Sequence, residues 1–182
     1  MKDILKITIN LTVICALAGI ILSATWGMTD PVRLIKERQE REAALKGLVP
    51  EAEKIEPVKA VVIQGKEGEI YKATAGGKDI GYVVECRSKG YSSFIHMLVA
   101  VNPDMSVRAI DILGHAETPG LGDQMEQGWF KKQFEGKHTE NLVVVKGETK
   151  TDIQALSGAT ISSRGVTRGV KDAVETLKAE GK

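Results

Sequence analysis

The stretch from Leu156 to Val170, LSGATISSRGVTRGV, crowds hydroxyl side chains, glycines and arginines into little more than one tight turn and the start of a helical pattern. A turn alone does not need so many hydroxyls, but a phosphate site would use them. Ser157-Gly158-Ala159-Thr160 reads as a turn just before a helix, with Ser162 or Ser163 as its cap. A helix N-terminus carries unpaired amide hydrogens and a partial positive charge, so it attracts phosphate. Gly158 lets the backbone approach a ligand closely, and Gly165 and Gly169, one turn apart, let the helix pack tightly on a neighbour. A second polar motif, HAETPGLG from His115 to Gly122, offers a carboxylate (Glu117) and a hydroxyl (Thr118) on a loop stiffened by Pro119. Taken singly, each motif is also what an ordinary helix cap or a solvent loop would look like.

The elements that must position these motifs follow from the apolar pattern. KAVVIQ, EIYKATA, DIGYVVECR, FIHMLVAVN and VRAIDILG are rich in β-branched and aromatic residues and are separated by glycine and Asn102-Pro103 turn signals. Their short connections predict antiparallel pairing. LGDQMEQGWFKKQF reads as a loop and short helix, and NLVVVKG as a further strand. In SRGVTRGVKDAVETLKAEGK, the residues Val166, Val170, Ala173, Val174 and Leu177 fall at helical spacing and are expected to face the sheet. The class is α+β, because the regular strand–helix alternation of a doubly wound sheet is missing.

Ahead of this domain, Ile7 to Met28 contains no charged residue. About twenty apolar residues cross a bilayer at 1.5 Å per residue. Lys2 and Lys6 precede the run, and Trp26 suits a membrane interface. The run exceeds a usual signal-peptide core, so a retained single-span anchor is expected over residues 1–29. A helical stalk is expected over 30–50, with Asp30 as N-cap, Pro31 at the first helical position and Gly47 and Pro50 ending it. The remainder, 51–182, is the folded domain. Arg33, Lys36, Arg38 and Arg41 would pull their side towards the cytoplasm, but long domains translocate regardless, so charge leaves the orientation open.

Composition excludes some classes. The 182-residue chain has a formal net charge of +1, which argues against nucleic acid as the main partner. Its two cysteines, Cys15 and Cys86, lie in different segments and read as inert buried thiols rather than a disulfide. The three histidines and two cysteines lack metal-ligand spacing.

Together, ETPGLG and a later SGAT before a C-terminal helix, behind a single span, resemble the FMN-binding domain of the family formed by the G subunits of Rnf electron-transport complexes. That family is related to the C subunit of the sodium-translocating NADH:quinone reductase. The resemblance covers nearly the whole chain, including GYSSFIHMLVAVN, HAETPGLG, GWFKKQFEGK and SGATISS. It implies an antiparallel sheet packed by helices, with FMN joined through a phosphoester to Thr160. It also implies that Glu117, Thr118, Leu121 and Gly122 line the flavin, Leu121 packing on the ring and Glu117 and Thr118 bonding its polar edge or ribityl chain. Ser157, Gly158 and Ala159 would shape the phosphate end, and Tyr91 and Ser92 would contribute from the turn after Gly90. Trp129 and Phe130 could pack near the isoalloxazine, although Trp129 reads more simply as core, and His115 as a loop residue. Thr160 would be an attachment point in a surface loop, with no catalytic residue and no metal.

The implied role is a redox subunit of an ion-translocating ferredoxin:NAD⁺ oxidoreductase, without independent activity. Other membrane and iron–sulfur subunits, and a flavin transferase for maturation, would be its partners. It would sit in a bacterial or archaeal cell membrane by a single pass, with the domain on the extracytoplasmic side. No G-x-G-x-x-G follows a strand, so no nicotinamide site is expected. Two other readings are a quinone-reductase C subunit or stand-alone extracytoplasmic flavoprotein, and a non-redox anchored assembly or binding protein.

Overall fold

The computed structural model describes residues 2–181, and the chain divides into two compact units, Met1–Arg41 and Glu42–Lys182. A helix, α1, runs over Lys2–Leu48 and contributes to both. It is long and apolar enough to cross a membrane, and none of its apolar stretch is buried within the protein. Its threonine hydroxyls are satisfied within the helix: Thr8, Thr12 and Thr25 donate to the carbonyls of Ile4, Thr8 and Ile21 at 3.0, 2.9 and 2.8 Å. In hydrocarbon no water could do this, so back-bonding removes the main polar cost of these residues. The helix does not restart at Asp30. Its backbone stays helical through Asp30 and Pro31, so Asp30 is not an N-cap.

In the second unit, five strands form an antiparallel meander in chain order: β1 Lys54–Ile63, β2 Lys66–Ala75, β3 Lys78–Lys89, β4 Phe94–Val101 and β5 Val107–Gly114. The five expected strands are all present. The near-continuous apolar run of β4 has a simple cause, since side chains alternate between faces and here both faces are covered. Ile95, Met97 and Val99 join the core on one face with Val166, Val170, Val174 and Leu177 of α3, Thr160–Ala179. Leu98 and Ala100 join a second core on the other face with Leu45, Leu48 and Val49. Each fully buried aliphatic side chain of this kind contributes about 1.5–3 kcal/mol.

The helical stripe expected from the sequence is the buried face of α3, and its two glycines set how close it lies. A Cβ on Gly165 would stand 2.7 Å from the Lys89 carbonyl oxygen and 3.0 Å from Gly90 Cα. A Cβ on Gly169 would stand 2.8 Å from Ser88 Cβ.

Between β5 and α3 the chain makes a 3-10 turn at Gly122–Glu126 and the short helix α2, Gly128–Lys132. The strand expected at NLVVVKG shrinks to Val144–Val145 (β6), paired in parallel with Ile153–Gln154 (β7). Phe130 and Phe134 are fully buried and meet edge to face at 5.5 Å. Trp129 is not core: it is 46% exposed and leans edge-on against Phe130.

Candidate functional site

The first turn of α3 begins just after Gly158 and Ala159, and the φ of Gly158, 75°, lies in the left-handed region that favours glycine. This reverses the chain so that Leu156 and Ser163 meet. Ser163 Oγ accepts from Leu156 N at 2.9 Å and donates to the Ala159 carbonyl at 3.0 Å. Ser162 Oγ donates to Glu117 Oε2 at 2.6 Å. Neither serine is the cap expected of it. The N-cap position falls at Ala159, no side chain caps this end, and Thr160 is the first helical residue rather than part of a surface loop.

First-turn amides have no intrahelical partner, so this helix end presents uncompensated donors. Among the described residues the Thr160 hydroxyl, partly exposed, has no hydrogen bond, whereas Ser162 and Ser163 have spent theirs.

This helix end forms one wall of an open cavity of about 490 Å³, within the range of about 300–1,000 Å³ usual for cofactor sites. Its lining is Tyr91, Thr118, Leu121, Gly122, Gly158, Ala159, Thr160, Ile161 and Ser162. Three separate segments therefore meet here. The 118–122 wall is a compact turn in which Leu121 N and Gly122 N both donate to the Thr118 carbonyl, at 3.2 and 3.0 Å. Leu121 overhangs Gly158, where a Cβ would lie 2.9 Å from Leu121 Cδ2. Leu121, Tyr91 and Ile161 are 42%, 64% and 53% exposed, an apolar rim beside an uncapped helix end. That pairing suits a ligand with an anionic group at one end and a flat apolar body.

Most sequence-nominated residues thus converge on the cavity, but Ser157, Ser92 and Glu117 are not on its wall. Glu117 lies behind it, 5% exposed, with its carboxylate occupied from inside the protein. It accepts from Tyr91 N at 3.1 Å, from Ser92 N and Ser93 N at 3.0 Å each, from Ser93 Oγ at 3.2 Å and from Ser162 Oγ. With these donors in place, no lone pair is left to meet a flavin edge as the resemblance implies. Burial pushes the carboxyl pKa up, but the bonds from Ser162, Ser93, Tyr91 and Ser92 outweigh it and hold the group below the ordinary glutamate value.

His115 also works from inside the loop. Its Nδ1 accepts from Glu117 N at 3.1 Å, which leaves the ring proton on Nε2, 3.0 Å from Glu126 Oε1. Ile161 and Ser162 line the cavity although the sequence does not single them out as ligand contacts, Ile161 because it is apolar and Ser162 because it reads as a helix cap. A helix start placed at Thr160 would find them, because first-turn residues surround whatever binds there.

Residues 90–175 match the FMN-binding domain, a span that holds every residue of the cavity. The chain is 44% identical over 177 residues to the G subunit of the proton-translocating ferredoxin:NAD(+) oxidoreductase complex of Clostridium ljungdahlii, covering 97% of this chain and 92% of that one. It is 33% identical over 193 residues to the G subunit of the Na(+)-translocating ferredoxin:NAD(+) oxidoreductase complex of Acetobacterium woodii, covering 97% and 93%. Among solved structures, NqrC of Shewanella oneidensis superposes with a TM-score of 0.52 at 25% identity, over 72% of this chain and 73% of that one. An apolar helix, an antiparallel sheet with a C-terminal helix, and an FMN-binding segment that contains the whole cavity accompany these identities, and the chain belongs to the family of G subunits of ion-translocating ferredoxin:NAD⁺ oxidoreductase complexes.

Proposed function

We propose that the chain is a membrane-anchored electron carrier of such a complex, holding FMN covalently through the Thr160 hydroxyl. The observation that carries the attachment is the division of labour in the first turn of α3. Ser162 and Ser163 use their hydroxyls to hold the fold, and the Thr160 Oγ1 is left without a partner among the described residues beside an uncapped helix end. A phosphate there gains the first-turn amides and the positive end of the helix dipole.

Attachment requires a separate flavin transferase and FAD. Thr160 Oγ1 would be the atom that takes the phosphorus of the FMN half as the pyrophosphate bond to the AMP half breaks, with AMP as the leaving group and the hydroxyl proton released. No electron moves in this step. Bound FMN exchanges one or two electrons, so it can join one-electron to two-electron carriers. The chain supplies the setting. Leu121, Tyr91 and Ile161 would offer an apolar rim to the ring, Thr118 would supply a hydroxyl for the polar chain, and Gly158, Ala159 and Ser157 would shape the phosphate end.

Residues 1–29 anchor the protein, the helix beyond them forms the stalk, and Glu42–Lys182, whose Leu45, Leu48 and Val49 pack in the core of that unit, form the flavin domain, placed on the extracytoplasmic side. The chain has no independent activity and exchanges electrons with other membrane and iron–sulfur subunits. The test is the intact mass of the full chain co-expressed with a flavin transferase. The expected gain is FMN less one water, with a fluorescent band on a denaturing gel that Thr160→Ala abolishes and Ser157→Ala retains. An unmodified, colourless wild-type chain under those conditions would refute the attachment and favour a non-redox anchored protein.

A further inference from the structure

We infer that Glu117 is a positioning residue for this site: from behind the cavity wall, its ionised carboxylate fixes Tyr91 and the first turn of α3 relative to each other. The inference rests on the flavin reading for its consequence, but its structural premise is independent of it.

Tyr91 is 64% exposed, so packing does little to hold its side chain over the cavity. The turn that carries it is held instead by three successive backbone amides, those of Tyr91, Ser92 and Ser93, all donating to Glu117. The same carboxylate takes the short bond from Ser162, which lines the cavity together with Thr160 and Ile161 of the same helical turn.

Two glycines make room for it. A Cβ on Gly90 would lie 2.6 Å from Glu117 Oε1, and one on Gly122 would lie 2.7 Å from Glu117 Cβ and 3.0 Å from Ser162 Oγ. Ser93 Oγ closes the arrangement by accepting from Ala116 N at 2.8 Å while donating to the carboxylate. Every donor around Glu117 requires an acceptor. A carboxylate accepts on both oxygens, whereas an amide presents its own N–H groups on one side. Glutamine at this position therefore confronts donors with donors, and the wall opens where Tyr91 and Ser162 are tied.

The test uses the full chain in detergent, as wild type, E117Q, S162A and Y91A, each with and without co-expressed flavin transferase. Hydrogen exchange read by mass spectrometry reports the amides of residues 91–93, and protection of β3 and the buried face of α3 reports the fold. In E117Q the 91–93 amides are expected to exchange at least about tenfold faster while the core stays protected. The flavin fraction attached in a time-limited transfer should fall by about tenfold. Flavin that does attach should emit more brightly, approaching Y91A, because a tyrosine stacked on the ring quenches its fluorescence. S162A should move each readout in the same direction by less, and it carries the test if E117Q does not fold.

Unchanged exchange at 91–93 in E117Q would overturn the inference. So would faster exchange with attachment and emission as in wild type. A wild-type chain that takes no flavin would instead refute attachment at Thr160, and the exchange comparison would still decide whether Glu117 holds the wall.

Discussion

Ser162 and Glu117, 45 positions apart in the chain, are joined by a hydrogen bond of 2.6 Å between a buried hydroxyl and a buried carboxylate. It ties the C-terminal helix directly to the HAETPGLG loop, and both of its ends adjoin the cavity. Removing a donor to a buried charged acceptor costs about 1.5–3 kcal/mol. Ser162→Ala should lower unfolding stability by that amount in chemical denaturation, with an unchanged denaturant slope.

The same carboxylate gives the protein an acid-sensitive term. Its folded pKa lies below the ordinary value of 4.5, so its contribution is fully present above that value and is lost as pH falls through the folded pKa. The melting temperature should therefore decline as pH drops below about 4.5. Glu117→Gln should start from lower stability at neutral pH and show a shallower decline across that window. Parallel melting curves for the two proteins from neutral pH down into the acid range would contradict this.

Gly165→Ala should be the more damaging of the two α3 glycine changes. Its methyl meets backbone twice, the Lys89 carbonyl oxygen at 2.7 Å and Gly90 Cα at 3.0 Å. At Gly169 the nearest obstacle, Ser88 Cβ at 2.8 Å, is also rigid, and only the Met97 Cε and Sδ atoms behind it, at 3.0 and 3.2 Å, belong to a flexible side chain. Overpacking costs about 1–3 kcal/mol, and the helix propensity gained from alanine returns about 1 kcal/mol. A net loss of up to about 2 kcal/mol is expected for each, the larger for Gly165→Ala, measured by thermal or urea unfolding.

Cys86 should resist alkylation in the folded protein. It is fully buried and its Sγ contacts the Gly169 carbonyl at 3.7 Å. Burial, reinforced by the nearby charges of Asp172 and Glu85, pushes its thiol up to about 12. In mildly alkaline buffer very little of it is thiolate, the reactive form. Iodoacetamide should modify Cys86 only after denaturation, which peptide mapping would show.

Thr160→Ala should leave stability within about 0.5 kcal/mol of wild type, because a partly exposed hydroxyl without a hydrogen bond contributes little to the fold. Equal melting temperatures for the two unmodified proteins are the check.

Much of this domain is legible in the residues. Each of the five strands carries its own β-branched or aromatic residues and its own turn signal, so FIHMLVAVN or VRAIDILG can be placed without knowing its partner. The stripe Val166–Leu177 likewise announces a buried helix face. The helix start is harder to read. Ser162 and Ser163 have the composition of caps, but their hydroxyls are drawn to Glu117 and Leu156 by tertiary contacts, and the helix begins earlier at an uncapped alanine. Glu117 is opaque for the same reason. Local sequence shows a carboxylate on a loop, while its donors come from a turn 25 residues upstream and a helix 45 residues downstream. Trp129 has the size of a core residue, and only packing shows that its neighbour Phe130 fills that space.

The meander has an implication for assembly. Every strand of the sheet pairs with its neighbour in the chain, so the sheet can zip up in the order of synthesis. The cavity cannot form that way, because it needs Ser162 folded back onto the loops that carry Glu117 and Tyr91. A ribosome must release nearly the entire polypeptide before the Thr160 hydroxyl is presented on a finished wall. An enzyme that recognises that wall would pass over truncated or half-folded copies, and the fold itself would act as the inspection step before a costly cofactor is committed.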